Sequence, residues 1–587
     1  MPVNRSTYGF LPLDDWFNEL VFAFGDAEVD SSIPEEFVIQ IPSSKFINPI
    51  KFCASIDKEL FRNGFTFLAS PEFGVKEGPK LQELQMHIVA AYYRNRYFDK
   101  EMTYKPEGPI KQLLGMLGDS TRAIGQLYNM PWLLRSPIVD KIDKKKIGLP
   151  VLIVTSGPSQ ASIKEHLKKY AKHCLVICIA RTLQLCLDVG VEPDFVVQYD
   201  THPEQKLFYE NIPRLDKTLL VALSSASIAD YAWKFRGVVF RGSFKKIILK
   251  NDFTLRDSTE GSLLACMGLA EILHAPDVYM AGCDFSWHAE DTPEQYKQLA
   301  PEERKLSLDD YRIGVGWLYV LTGRGGKFAY SEVGYVAAAA RAAEFAVEIN
   351  KTIGTRFWLT SDIGILSPKH FPTMGEEDVC ANTEIDRSAY LETIDEVLQT
   401  REDIDLKVAL PFFKEREDFL NSQELNFRFK KYNPDFEFGF HEDLIQLCRN
   451  SRSFFMQFGE ADAGKAHRMV IEWAKALNYA SRVTMSYTLA EEHGEKIIVL
   501  CKKEEQERLQ ERVNTFFPKQ YCEFRVLVDL ANGSGGGEDN CVPYSGFMDW
   551  VKEQKVIFIS HTIGKEYHPF FKLYEGDNVI LLPNLVG

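Results

Sequence analysis

A short polar turn in the middle of the chain has the residue types that bind anions. Ser156-Gly-Pro-Ser159 directly follows the apolar run Val151–Thr155 and precedes an amphipathic, lysine-rich stretch, Gln160–Tyr170, which is predicted to be a helix. Glycine lets the backbone turn sharply, proline fixes φ, and serine is favoured where a helix begins. A helix start offers free N–H groups and the positive end of the helix dipole, so the turn is predicted to bind phosphate or carboxylate. An ordinary strand-to-helix turn can have the same sequence. This segment alone therefore does not distinguish an anion-binding turn from an ordinary one.

Three further polar segments stand at the end of an apolar run or at the start of a helical pattern. They are Asp200-Thr-His202, Gly261-Ser262, and Gly282-Cys-Asp284 with His288 just beyond. Each one alone is explained equally well by a turn, because Asp and Ser often cap turns. Their recurrence at strand ends favours one shared binding site.

The elements that position these segments alternate between strand and helix patterns. Strands are predicted at Val151–Thr155, Leu175–Ala180, Phe195–Tyr199, Leu219–Leu223, Val238–Arg241 and Val278–Ala281. Apolar runs separated by helices are typical of a parallel sheet covered on both faces, which is a doubly wound, Rossmann-like α/β fold. Ligands of such folds collect at the carboxyl ends of the strands, where the polar segments are predicted to lie.

The chain is long enough for several domains, and its pattern changes three times. Residues 1–76 predict a small α+β region with strands near Phe37–Ile41 and Phe65–Leu68, and residues 77–147 predict a helical lead-in. Residues 148–384 form the predicted Rossmann-like catalytic domain. Residues 385–587 predict a helical segment followed by a small α/β region.

Composition narrows the classes of function. The net charge of −15 argues against a general nucleic-acid-binding protein. No apolar run approaches the length of a membrane span. The 11 cysteines are scattered, without a CxxC pair, which is typical of a reducing compartment. The first 15 residues lack a signal-peptide pattern, so we expect a cytoplasmic protein.

The ordered set of motifs resembles a known group of enzymes. Ser156-Gly-Pro-Ser159, Gly190-Val-Glu-Pro-Asp194 leading to Asp200, Gly261-Ser262 and Gly282-Cys-Asp284 resemble the central domain of the motility accessory factor family. Its members are flagellin glycosyltransferases. The wider group includes archaeal 6-hydroxymethylpterin pyrophosphokinase-like proteins, and the Gly-Pro-Ser turn also resembles that of family 42 sialyltransferases.

The resemblance implies transfer of a nonulosonic sugar, a pseudaminic or legionaminic acid, from its CMP-activated form to Ser or Thr of flagellin. The acceptor hydroxyl then needs a general base, for which His288 and His202 are candidates. Asp284 and Asp200 are expected to orient a ribose, a sugar hydroxyl or a histidine rather than to act as nucleophiles. The nucleotide sugar is expected to be held by Ser156, Gly157, Pro158, Ser159, Asp200, Thr201, Gly261, Ser262 and Gly282.

No metal and no other cofactor is expected. The leaving group is a nucleoside monophosphate, so a cation is less necessary than for a diphosphate leaving group. No Asp-x-Asp pair ends a predicted strand, and Asp403-Ile-Asp405 lies in a polar, helical pattern.

Two departures from the related patterns concern ligand contacts. Ser156 stands where family 42 sialyltransferases have Asn, and Leu359–Gly364 replaces an Asn-Ala-Thr-Glu-Gly-Gly-like stretch. Two other functions therefore stay open: a Mg²⁺-dependent pyrophosphokinase acting on a pterin, and a non-catalytic scaffold that keeps the nucleotide fold.

Overall fold

The computed structural model describes residues 3–41, 56, 60, 63–73, 76–77, 81, 84–89, 124–125, 127–200, 203–241, 261–286, 317–321, 328–400, 476, 479–491, 493–515, 517, 519–528, 541–543, 550, 557–559 and 579–581. Asp403-Ile-Asp405 lies outside these residues.

The N-terminal region forms two parallel sheets. The larger has the order β1-β6-β3-β5, and β2 pairs with β4. β3 is buried at all five positions, and Phe22 and Phe24 pack against Phe67 of β6. The predicted strands near 37–41 and 65–68 are confirmed as β5 and β6. The strands are β1 (Val3–Tyr8), β2 (Phe10–Leu11), β3 (Leu20–Phe24), β4 (Glu28–Val29), β5 (Val38–Ile41) and β6 (Gly64–Ala69).

A seven-stranded, all-parallel sheet forms the centre of the fold, which confirms the predicted doubly wound α/β class. Its order is β11-β10-β9-β8-β7-β12-β15. All four residues of β7 are fully buried, because a parallel sheet is covered on both faces. The strands are β7 (Val151–Val154), β8 (Leu175–Ile179), β9 (Phe195–Gln198), β10 (Leu215–Leu223), β11 (Phe235–Arg241), β12 (Asp277–Ala281) and β15 (Arg356–Leu359). An antiparallel hairpin, β13 (Trp317–Leu321) and β14 (Phe328–Glu332), lies between β12 and β15 in sequence.

The strand order reverses beside β7. From β7 the chain continues to β8 on one side, and it later returns as β12 on the other side, where β12 pairs with β7 in parallel. The carboxyl ends of β7 and β12 therefore flank a topological switch point. In open α/β sheets a ligand binds in the crevice at this position.

The helices before β16 include α1 (Met130–Leu133), α2 (Asp140–Asp143), α3 (Gln160–Ile163), α4 (Leu167–Tyr170), α5 (Ala180–Asp188), α6 (Ser262–Ile272), α7 (Val333–Ile353), α8 (Glu376–Cys380) and α9 (Arg387–Gln399). α6 is buried at nine of its residues and packs against β7, β8 and α7. Among the residues described, no helix has both the length and the apolar character needed to cross a membrane.

The C-terminal region contains a five-stranded parallel sheet, as the predicted small α/β region requires. Its order is β18-β17-β16-β19-β20. Phe517 and Phe558 pack edge to face in its core. The elements are β16 (Ile497–Cys501), α10 (Gln506–Val513), β17 (Cys522–Val528), β18 (Cys541–Pro543), β19 (Ile557–Ile559) and β20 (Val579–Leu581).

The chain divides into two compact units. The first comprises Met1–Lys105, Lys146–Pro193 and Ser258–Asp386, and the second comprises Pro106–Lys145, Asp194–Asp257 and Arg387–Gly587. The turns after β7 and β12 belong to the first unit. The predicted boundaries at 76, 147 and 384 stay predictions.

Candidate active site

Two glycines bring the turns after β7 and β12 into direct contact. The N–H of Gly157 donates to the carbonyl oxygen of Gly282 over 2.7 Å. Gly282 has φ +69°, and a Cβ there would collide with the carbonyl oxygen of Thr155. A Cβ at Gly157 would lie 2.6 Å from Oδ2 of Asp284. Both positions therefore require glycine for the close approach of the two backbones.

Ser159 and Asp284 join the same two turns through side-chain atoms. The N–H of Ser159 donates to Oδ2 of Asp284, and the Ser159 hydroxyl donates to Oδ1, each over 2.6 Å. Ser159 is 5% exposed and Asp284 is 2% exposed. Hydrogen bonds that a carboxylate accepts are stronger than hydrogen bonds between two neutral groups. The pair fixes the geometry of the turn.

The expected free N–H groups at this turn are not found. Gly157 donates to Gly282, Ser159 to Asp284, and the Gln160 N–H donates to the carbonyl oxygen of Gly157 over 2.9 Å. Ser159 occupies the N-cap position of α3, but its hydroxyl makes no cap hydrogen bond because Asp284 takes it. The expectation of a helix start with unpaired donors is therefore wrong for these three N–H groups.

The predicted helix from Gln160 to Tyr170 is also interrupted. It is divided into α3 and α4, each four residues long. The Ser162 N–H and hydroxyl both donate to the carbonyl oxygen of Ser159, over 3.1 and 2.7 Å. This local bonding tightens the first turn and competes with the regular helical pattern. A four-residue helix adds little dipole to the site.

Solvent still reaches Ser156 and Pro158 of the turn, which are half-buried. Within the part of the chain that the structure describes, no hydrogen bond of the Ser156 hydroxyl is found. The neighbouring Thr155 hydroxyl instead donates to the carbonyl oxygen of Gly282 over 2.6 Å and is buried. Ser156 is therefore the hydroxyl of this turn that a ligand can reach.

Cys283 lies between Gly282 and Asp284 but has the properties of a core residue. Its side chain is 4% exposed, and burial raises the pKa of its thiol, an effect that the hydrogen bond between Thr155 and Cys283 partly offsets. The thiol therefore stays protonated, and a protonated buried thiol is a poor nucleophile.

The chain beyond Asp284 has a strained backbone held by its neighbours. Phe285 has φ +51°, a conformation that costs a residue with a Cβ about 1–2 kcal/mol. The Ser331 hydroxyl donates to the Phe285 carbonyl oxygen over 2.6 Å, and the Phe285 ring meets Tyr335 edge to face. Strain of this kind is concentrated at functional sites.

Sequence reasoning did not identify Gly364 as part of this site. It has φ +102°, and a Cβ there would lie 2.6 Å from the Asp284 carbonyl oxygen, which also accepts the Ile365 N–H over 3.0 Å. The segment Leu359–Gly364, noted as a departure from the related pattern, therefore reaches the backbone of Asp284. The feature of the sequence that could have indicated this contact is a glycine that follows a strand-like run.

Asp200 lies at the carboxyl end of β9, in the second unit, and is exposed. Its Oδ2 accepts a hydrogen bond from the Gln205 side chain over 2.7 Å, and its carbonyl oxygen accepts one from the Gln198 side chain over 2.6 Å. Gln198 also accepts a bond from the buried Tyr209 hydroxyl. The carboxylate is therefore oriented but solvent-accessible, as a ligand contact requires.

Gly261 has φ +131° and stands at the N-cap position of α6, where Ser262 begins the helix. α6 leads into β12 and runs opposite to it, so its start lies at the carboxyl edge of the first unit's strands. Both residues are half-buried.

The remaining predicted site residues, Thr201, His202 and His288, lie outside the described residues. Asp194, from the Gly190–Asp194 motif, is 3% exposed and forms an ion pair with Arg387. It is therefore a structural residue of the second unit. Across the described ranges there is no group of three or more His, Cys, Asp or Glu that could hold a metal ion.

Comparison with known proteins supports the resemblance to the 6-hydroxymethylpterin pyrophosphokinase-like group. Residues 125–290 match the family model described as 6-hydroxymethylpterin diphosphokinase MptE-like. No curated protein matches the chain. Among solved structures, the MAf glycosyltransferase from Magnetospirillum magneticum AMB-1 is similar, with 13% identity over 74% of this chain and 72% of that chain, at a TM-score of 0.35. The matched segment 125–290 contains all the predicted site residues, and this segment is similar in sequence to the MptE-like family.

Proposed function

We propose that the protein is a glycosyltransferase that moves a nonulosonic sugar from a CMP-activated donor to Ser or Thr hydroxyls of flagellin. The observation that carries the proposal is the position of the Gly-Pro-Ser and Gly-Cys-Asp turns. They flank the switch point of the parallel sheet, joined by Ser159 and Asp284. These are two of the motifs on which the resemblance to the glycosyltransferases depends.

The donor is proposed to bind above this joined pair of turns. Ser156 would donate its hydroxyl to the phosphate, since the N–H groups of Gly157 and Ser159 are already bonded. Gly261 and Ser262 lie at the same edge of the first unit and would add N–H and hydroxyl donors. The expected contact of Asp200 and Thr201 with a ribose or sugar hydroxyl stays a prediction.

The transfer reaction needs one proton acceptor. The acceptor oxygen bonds to the anomeric carbon, the bond from that carbon to the phosphate oxygen breaks, and CMP leaves with the electron pair. His288 or His202 would accept the hydroxyl proton. Asp284 is buried and bonded to Ser159, so we assign it as a positioning residue rather than as a base.

The reaction is proposed to be metal-independent because the departing CMP already carries a phosphate able to hold the new negative charge. Hydroxyl and N–H donors at the site would stabilise that charge further. The C-terminal region is proposed to bind the acceptor protein. We propose a cytoplasmic location, where CMP-activated donors and unexported flagellin are both present.

Calorimetric titration of CMP into the full chain, first with EDTA and then with Mg²⁺, tests the donor site. We expect binding without Mg²⁺ that Ser156→Ala weakens by about tenfold or more, as expected for a lost hydrogen bond to a charged group. Ser162→Ala is the matched control, because it alters the same turn without removing the accessible hydroxyl. Absence of CMP binding to folded protein under both conditions would contradict the proposal.

A second function is favoured by one observation. The family model that matches residues 125–290 is described by a diphosphokinase activity on a hydroxymethylpterin. This alternative requires ATP and Mg²⁺. Mg²⁺-dependent binding of ATP, with a pterin substrate and without affinity for CMP, would establish it in place of the glycosyltransferase. A chain that binds neither nucleotide would be the non-catalytic scaffold.

A further inference from the structure

A cavity of about 310 Å³ lies inside the first unit, beside α7. One wall is a face of this helix, and the rest is formed by Met86, His87, Ser367 and His370. The two histidines already interact with other groups. These described walls include no residue assigned to the candidate active site. The volume lies at the lower end of the range for small-molecule sites, which is roughly 300–1,000 Å³.

The face of α7 that borders the cavity has small residues where larger ones would fill the space. Ala340, Ala343 and Val347 recur at intervals of three or four residues, which places them on one side of the helix. Alanine ends at Cβ, so the helix backbone lies close to the cavity without its side chains occupying it. The buried side chain of Met86 adds further apolar surface. The wall is therefore mainly apolar.

The charged residues at the cavity balance one another. Glu344 and Glu348 lie on the same face of α7, and Nη1 of Arg341 donates to both carboxylates, over 3.1 and 3.3 Å. Lys351, in the last turn of the helix, adds a second positive charge to the wall. Two carboxylates therefore stand beside two cations. With its histidines neutral, the cavity has no net charge that would select an ionic ligand.

One buried polar group in the wall lacks a partner. Ser367 is 2% exposed, and its hydroxyl makes no hydrogen bond within the described part of the chain. The N–H groups of His370 and Phe371, which a serine hydroxyl at a turn could accept, both donate to the carbonyl oxygen of Ser367 instead, over 3.1 and 2.9 Å. Most buried hydroxyls in native proteins are paired, so an unpaired one at a cavity wall indicates a missing partner.

The apolar wall, the balanced charges and the unpaired hydroxyl together define a class of ligand. An apolar body would cover the small residues of α7, and one polar group would bond to Ser367. A charged group in that position would lose its water and gain only a hydroxyl in return, which is costly. We propose that this cavity binds a small, mainly apolar molecule through one uncharged hydroxyl or carbonyl group, anchored at Ser367.

Three compounds with the same ring test the class of ligand. Cyclohexanol, cyclohexanecarboxylate and cyclohexylammonium present a neutral, a negative and a positive polar group, and each is titrated into the full chain by ligand-detected NMR. We expect cyclohexanol to bind, and both ions to bind at least tenfold more weakly. Equal or tighter binding of either ion, or no binding of cyclohexanol, would overturn the proposal.

Ser367→Ala locates the polar contact. It should weaken cyclohexanol binding about fivefold or more, as expected for one lost hydrogen bond. The unfolding temperature of the ligand-free variant should stay the same or rise, because an unpaired buried hydroxyl is removed. Ser361→Ala is the matched control, since it removes a half-buried hydroxyl of the same segment outside the cavity wall, and it should change binding less than twofold. Equal affinities in the two variants would contradict the assignment.

A second variant fills the cavity and leaves Ser367 in place. Ala343→Leu keeps a good helix former at a half-buried position of α7 and puts a larger side chain into the space. It should abolish cyclohexanol binding, with a circular dichroism spectrum like that of the unsubstituted chain. Full cyclohexanol affinity in the folded variant would overturn the proposal. No nucleotide takes part in these experiments, so their outcome is independent of the proposed glycosyltransferase function.

Discussion

Ser159 and Asp284 are separated by 125 residues in the chain, yet two hydrogen bonds join them where β7 and β12 end. A carboxylate can accept both of the donors that Ser159 presents, one on each oxygen. The shape of the Gly-Pro-Ser turn therefore depends on a residue of a different strand.

Replacing Asp284 with Asn should loosen this turn. An amide has one acceptor oxygen, so one Ser159 donor would face an NH₂ group, and a buried unsatisfied donor costs about 1–3 kcal/mol. We expect hydrogen exchange of the amides at 156–160 to become about tenfold faster or more, measured by mass spectrometry. Asp378→Asn is the control, because Asp378 is exposed and only caps Gly375. Unchanged exchange in Asp284→Asn would contradict the role assigned to the pair.

Two glycine-to-alanine variants separate backbone strain from steric collision. Gly282 and Gly354 have φ of +69° and +78°, but a Cβ would collide with Thr155 only at Gly282, and Gly354 has open space. Gly354→Ala should cost about 1–2 kcal/mol from φ alone. Gly282→Ala should cost about 3 kcal/mol because packing strain is added. Calorimetric unfolding temperatures that fall equally in both variants would refute the close-contact argument.

We expect that removing one partner of the Arg387–Asp194 ion pair destabilises the protein more than removing both partners. Asp194 is buried, so Arg387→Leu removes the positive charge that neutralises its carboxylate and should cost about 3–5 kcal/mol. The double variant with Asp194→Leu should recover much of that loss. Urea unfolding of the unsubstituted chain, of Arg387→Leu and of the double variant measures these differences in the free energy of unfolding. A double variant less stable than Arg387→Leu would show that the pair contributes by packing instead.

Asn129 provides a test with a defined pH dependence. Its fully buried side-chain NH₂ donates to the carbonyl oxygens of Ser224 and Ala226, over 2.9 and 2.5 Å. In Asn129→Asp a carboxylate would face both oxygens, so its folded-state pKa should rise above the unfolded value. The protonated acid can still donate one bond, and the variant should therefore lose stability as pH rises.

We expect the urea midpoint of Asn129→Asp to fall between pH 5 and pH 8 relative to the unsubstituted chain. Asn129→Leu is the control, since its smaller loss should be the same at both pH values. A pH-independent loss in Asn129→Asp would mean that the new carboxyl reaches solvent.

The central sheet was predictable because burial on both faces gives its inner strands largely apolar runs. β15 was missed because it is a four-residue edge strand with exposed Arg356 and half-buried Trp358. β3 was not predicted, although Leu20–Phe24 is a continuous apolar run.

The detailed geometry of the candidate site was less accessible from sequence. A serine after Gly-Pro predicts an N-cap, and Ser159 does occupy that position, but its hydroxyl has a stronger acceptor in Asp284. Local patterns describe neighbours along the chain and cannot show such a partner. Gly364 was missed for the same reason, since its close contact is with the Asp284 backbone.

The distance in sequence between Ser159 and Asp284 has a consequence for protein synthesis. On the ribosome, the Gly-Pro-Ser turn emerges long before the residue that completes it, and until Asp284 is available the Ser159 donors can bond only to water. A nascent chain that ends before Asp284 therefore lacks the finished turn. Asp284 lies just before the midpoint of the 587-residue chain, so chains that end earlier should be unable to hold a nucleotide at this position.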